Sequence, residues 1–190
     1  YRTNRKQLHS LHNRTEKERG LLKEQLRLAR EVQLLGELNE WLQSSRSLEE
    51  LFEMVARFMT HILPTAEGSV YVYSNSRDVL DGSASWNGGS HKAHIHPEAC
   101  WGLRRGRTYE YGASEIDFVC EHAEPHDGRP YFCFPILAHG ETVGLMHLRA
   151  QKHECEEFAL SKKLAQMGAE QISMAIANVR MRDQLHDKSV

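Results

Sequence analysis

A chain of 190 residues holds one domain with long appendages, and an apolar fraction of 40% against 26% charged residues allows a core under a well-solvated surface. The formal net charge of −2 gives no overall attraction to nucleic acid or to an anionic membrane, and no apolar run is long enough to span a bilayer. Four cysteines at this length exclude a disulfide-stapled scaffold and point to a reducing cytosol, with the thiols free or metal-bound.

Residues 1–14 carry Arg2, Arg5, Lys6 and Arg14 and no acidic residue. Such a segment is either the cytoplasmic flank of a preceding inner-membrane helix or the basic first turns of a solvated one. From Asn4 to Gln43 there is no proline. Leu21, Leu28, Leu35 and Leu42 recur at every seventh position, with Val32 and Asn39 between them, which predicts a two-stranded parallel coiled coil. A second set, Leu22, Leu26, Ala29, Leu34, Leu38 and Trp41, broadens the stripe, and the charged TEKER interrupts the register upstream. The alternative is a single amphipathic helix lying on its own domain. Ser47 and Glu50 then form a capping box, and Leu48, Leu51, Phe52, Val55, Phe58, Met59, Ile62 and Leu63 follow at helical spacing until Pro64.

After Glu67 the period changes to two. Gly68–Ser74 and Val79–Trp86 flank a polar turn and read as an antiparallel strand pair. The histidine-rich HKAHIH is expected as a loop, HPEACWGLRRG as a short helix, and Tyr109 to Tyr111 as a third strand. Tyr131–Ala138 and Glu141–Ala150 flank His139-Gly140 as a hairpin, and the rest, from His153, is expected to be helical to the end with an acidic first turn of Glu154, Glu156 and Glu157. The order predicts an α+β fold. An antiparallel sheet of five to six strands carries helices on one face and a loop-and-helix cover on the other.

This order, with CWGLRRGR (Cys100–Arg107) and YFCFPILAHGETVGLMHL (Tyr131–Leu148), resembles a GAF domain over Leu48 to Val179. The match to the family's last hairpin lies at Cys133, Pro135, Ile136, Gly140, Val143, Gly144, Met146 and Leu148. The cysteine motifs resemble those of GAF domains that precede diguanylate cyclase (GGDEF) domains, and MRDQLHDKSV resembles the signalling helix that leads into the cyclase. The resemblance implies a cytoplasmic regulatory region, with an N-terminal signalling helix at 1–46, a sensor at 47–170 and a C-terminal signalling helix at 171–190. It would act as a homodimer through those helices, upstream of an output domain that makes cyclic di-GMP.

Cys100, Cys120, His122 and Cys133 are the candidate metal ligands. Their spacing is loose for a zinc knuckle. In an extended segment, however, Cys120 and His122 project to the same side. The resemblance further implies that the short helix, the loop and the strand holding the four all border one ligand cavity. Three thiolates and an imidazole suit zinc, or softer ligation of iron, an iron–sulfur cluster or copper. The alternatives are an organic or anionic ligand in the same cavity, or three buried reduced thiols. His126, His94 and His96 are reserve ligands, and Cys155 stands apart.

Arg104, Arg105 and Arg107 could hold a carboxylate or phosphate, or pair with Glu110, Glu115, Asp117 or Glu121. Trp86 and Trp101 could stack on a planar ligand. No GxSxG, P-loop or HExxH motif is present, so no catalytic site is expected within these residues. Three functions follow: a dimeric sensor for a small molecule or metal, a ligand-free dimerisation spacer, or a small redox enzyme acting on a methionine sulfoxide.

Overall fold

The computed structural model describes residues 2–189, so Tyr1 and Val190, the ends of the two terminal segments, lie outside them. Helix α1 (Arg2–Gln43) is followed by α2 (Leu48–Ile62), β1 (Ala66–Tyr73), β2 (Leu80–Trp86) and β3 (His94–Ile95). Then come a 3-10 turn at Pro97–Ala99, α3 (Trp101–Arg105), β4 (Tyr109–Tyr111) and a second 3-10 turn at Glu121–Ala123. The hairpin β5 (Tyr131–Ala138) and β6 (Glu141–Ala150) leads to α4 (Glu156–Leu160) and α5 (Lys162–Ser189). The six strands form one antiparallel sheet in the order β3-β2-β1-β6-β5-β4. The expected α+β architecture is present.

Strand alternation sorts the side chains into two cores. Phe132, Phe134 and Ile136 point to the helix side, where they meet Leu51, Val55 and Met59 of α2 and Ile172 and Ile176 of α5. Tyr131 and Cys133 point the other way, into a smaller core with Tyr71, Leu145, Cys100 and Cys120. The Ser47 hydroxyl caps α2 by accepting from the Glu50 amide, as its capping box requires. Gly144 allows β6 to lie against β1, since a Cβ there would stand 2.4 Å from the Tyr71 carbonyl oxygen.

The row of four leucines in α1 does not form a single seam. Leu35 and Leu42, with Leu38, are buried in the helix-side core, while Leu21, Leu28 and Val32 are exposed at 66%, 48% and 66%. The last turns of α1 lie on α2 and α5, whereas Leu8, Leu11, Leu21 and Leu28 of the earlier turns are exposed. The histidine-rich loop contains a strand, because Ile95 is buried and its backbone pairs with Leu80. The C-terminal helix starts later than expected and breaks at Ser161, leaving Glu154 outside it and Cys155 at the N-cap of α4.

Candidate metal centre

Three chain segments converge on the sheet face opposite the helices. Cys133 is central in β5. Cys100 is the residue before α3 and accepts from the Arg104 amide through its carbonyl. Helix α3 sits directly on β5 because Gly102 has no side chain: a Cβ there would be 3.2 Å from the Cys133 carbonyl oxygen. Cys120 leads into the second 3-10 turn, and His122 is inside it. The segment is therefore a tight turn and not the extended stretch expected, yet it still aims both side chains at the same point.

The ligand atoms of Cys100, Cys120, His122 and Cys133 all lie within 4.8 Å of one another, and all four residues are buried. Tetrahedral zinc with Zn–S of about 2.3 Å sets its sulfurs about 3.8 Å apart, so one ion fits after a small contraction. The thiolates of an iron–sulfur cluster hang on separate irons and stand farther apart. The geometry favours a single ion over a cluster.

The sulfurs are electrostatically prepared for a cation. Hydrogen bonds from Cys100 and then Cys133 hold the Cys120 thiol far below its ordinary range, as a thiolate between two S–H donors. Its bond to Cys120 pushes the Cys100 thiol up to about 12, and burial pushes Cys133 well above its usual value. The Trp101 amide also donates to the Cys120 sulfur, at 3.4 Å. His122 Nε2 lies 3.6 Å from the Cys133 sulfur. A buried negative sulfur nest beside an imidazole is a natural site for a soft divalent ion.

One residue escaped the sequence reading. His147 of β6 faces Cys133, with Nδ1 at 3.4 Å from its sulfur, and its ring meets His122 edge-on at 5.1 Å. Burial, and next the neighbouring His122, push its pKa well below the ordinary histidine value. His122 and His147 also form part of the wall of an adjoining cavity of about 320 Å³, together with Glu67, Tyr71, Lys92 and Arg149. Glu67 is engaged there by Arg149 at 2.7 Å and Arg129 at 3.0 Å.

The other candidates are placed elsewhere. Arg104, Arg105 and Arg107 are exposed and do not line that cavity. Arg104 stacks on Trp101, 4.3 Å from the ring centroid. Glu110, one of the acids offered to these arginines, pairs instead with Lys162 at 2.9 Å. Trp86 is buried in the helix-side core, across the sheet from the cavity. His94 pairs with Asp81, His126 packs against Tyr111 and Tyr131, and Cys155 packs against the helix-side core. His96 is exposed next to the first 3-10 turn.

A family model described as GAF domain matches residues 47–178. No curated protein sequence matches the chain. Among solved structures, the GAF domain of an Acinetobacter phosphoenolpyruvate-protein phosphotransferase is 14% identical with a TM-score of 0.64, covering 79% of this chain and 94% of that one. A free methionine-R-sulfoxide reductase from Neisseria meningitidis, in complex with its substrate, is 12% identical with a TM-score of 0.62, covering 80% and 91%. The GAF domain of the potassium sensor histidine kinase of Escherichia coli is 16% identical with a TM-score of 0.59, covering 81% and 98%. At these identities the likeness to the three structures concerns the fold.

Proposed function

The chain belongs to the GAF domain family, and on that premise we propose that this regulatory sensor domain reports the occupancy of a zinc-type ion held by Cys100, Cys120, His122 and Cys133. The observation that carries the reading is the convergence of three buried sulfurs and one imidazole, from three segments, within 4.8 Å of one another. Three of those ligands sit in the cover and one in the sheet. An ion there would tie Cys100 ahead of α3 and the turn at Cys120 and His122 to β5. Strand β5 is in turn joined to α5, where the Ser173 hydroxyl donates to the Leu137 carbonyl.

The output route runs through the helices. Exposed Leu21, Leu28 and Val32 on α1 and exposed Met167, Met174 and Met181 on α5 leave apolar stripes that a second copy of the chain would cover. Arg182 of α5 donates to the Ser45 carbonyl in the link between α1 and α2, tying α5 to the end of α1. We assign the domain to a cytoplasmic homodimer whose paired helices bias a GGDEF diguanylate cyclase. The motif Cys100–Arg107 and the segment Met181–Val190 support that partner by their resemblance. No helix among the described residues is long and apolar enough to cross a membrane. Such control requires the ion to bind the two dimer states with different affinity. The test is cyclic di-GMP synthesis by the full-length protein, loaded with zinc and then stripped by a chelator. A change in rate that zinc restores supports the reading, and equal rates in both forms defeat it.

A further inference from the structure

We propose that His147 is a positioning residue of this centre and its link to the adjoining cavity, which takes a hydrogen-bond donor at His147 Nε2. The inference rests on the metal reading above. His147 is the cross-strand partner of Cys133, and its Nδ1 stands 3.4 Å from the Cys133 sulfur. A metal-bound thiolate can only accept a hydrogen bond, so Nδ1 carries the proton and points it at the sulfur.

That bond has a purpose in charge terms. Three thiolates and a neutral imidazole around a divalent ion leave one net negative charge in a buried site. Two N–H groups spread it: the Trp101 amide on Cys120 and His147 on Cys133. Outer partners of this kind fix ligand orientation and tune the ion.

The same bond fixes the tautomer, leaving Nε2 as a bare acceptor. Among the described residues no protein group donates to Nε2, and His147 is part of the cavity wall. A ligand entering the cavity of about 320 Å³ therefore meets, at that atom, a site for an ammonium, amide or hydroxyl group. Donation to Nε2 draws electron density from the ring and strengthens the Nδ1–H bond to Cys133, so cavity occupancy is felt at the metal thiolate.

The test uses the chain loaded with cobalt(II), read by competition with a chromophoric chelator and by the thiolate-to-cobalt charge-transfer band. His147→Leu removes the N–H donor; the expected loss of cobalt affinity is about 10–100-fold, with a shifted band. His147→Asn places an amide nitrogen where Nδ1 stood, and restores both affinity and band. Methylammonium shifts the wild-type band, whereas tetramethylammonium, with the same charge and no N–H, does not. The Asn variant, lacking the far acceptor, ignores both. Unchanged affinity and band in the Leu variant, or equal impairment of the Leu and Asn variants with native circular dichroism, overturns the positioning role. Equal responses to the two amines, or none to either, overturn the cavity link. A wild-type chain that takes up no cobalt defeats the metal reading itself.

Discussion

The backbone N–H of Cys120 donates to the Tyr131 hydroxyl at 2.8 Å, fastening the cover turn to the first residue of β5 without help from any ion. Tyr131 is fully buried and stacks on Tyr111 with ring centroids 5.1 Å apart. The turn that presents Cys120 and His122 is thus anchored before the sulfurs are engaged. Tyr131→Phe keeps the stacking surface and orphans a buried amide, which costs about 1–3 kcal/mol. Urea denaturation of the metal-free variant should show that loss, together with weaker metal binding. An unchanged midpoint would mean the anchor is not the hydroxyl.

Each of the four ligands is required for a closed tetrahedral set. Cys100→Ser, Cys120→Ser, Cys133→Ser and His122→Ala should each lose the one-ion stoichiometry or bind far more weakly. Cys155→Ser should bind as the wild type does, because Cys155 lies at the start of α4 outside the cluster. Cobalt titration followed by visible absorption reads both outcomes. Retained stoichiometry in any of the three cluster serine variants would remove that residue from the ligand set.

Metal affinity should rise with pH across the neutral range. Cys120 is already held as a thiolate, whereas Cys100, pushed up to about 12, and Cys133, raised by burial, still carry their protons. Binding must displace both, since the thiolate is the ligand. Lower pH therefore favours the apo form and higher pH the metal form. Zinc dissociation constants at a series of pH values, by chelator competition, should give a slope near two protons per ion. A flat profile contradicts the protonation scheme.

The two halves of α1 should respond differently to truncation. Leu38 is wholly buried against the domain, so Leu38→Ala should cost about 2–5 kcal/mol of unfolding free energy. Leu28 is 48% exposed, so Leu28→Ala should leave that energy nearly unchanged and weaken self-association instead. Chemical denaturation and sedimentation equilibrium separate the effects. Loss of domain stability in the Leu28 variant would place that turn in the core as well.

How far the sequence foretold this arrangement depends on which interactions are local. The helix starting at Ser47 and the hairpin around His139-Gly140 follow from capping and alternation, and both are present. Strand β3 was missed because two residues carry no period; only the burial of Ile95 against the second core makes them a strand. The division of the α1 leucines was missed because a heptad repeat cannot say whether its partner is another chain or its own domain. His147 was hidden by a register shift. A regular hairpin from its turn would set Cys133 against Met146, and the irregularity between Ile136 and Leu137 moves His147 there instead. The cysteine and histidine convergence was legible as residue types, but the 3-10 turn that aims Cys120 and His122 was not.

The most direct measurement of the central claim is metal content combined with X-ray absorption at the metal edge, on protein purified without oxygen or chelator. The account predicts one ion per chain, with three sulfurs and one nitrogen in the first coordination sphere. A folded chain that holds no ion and gains no thermal stability on adding zinc or cobalt would contradict it.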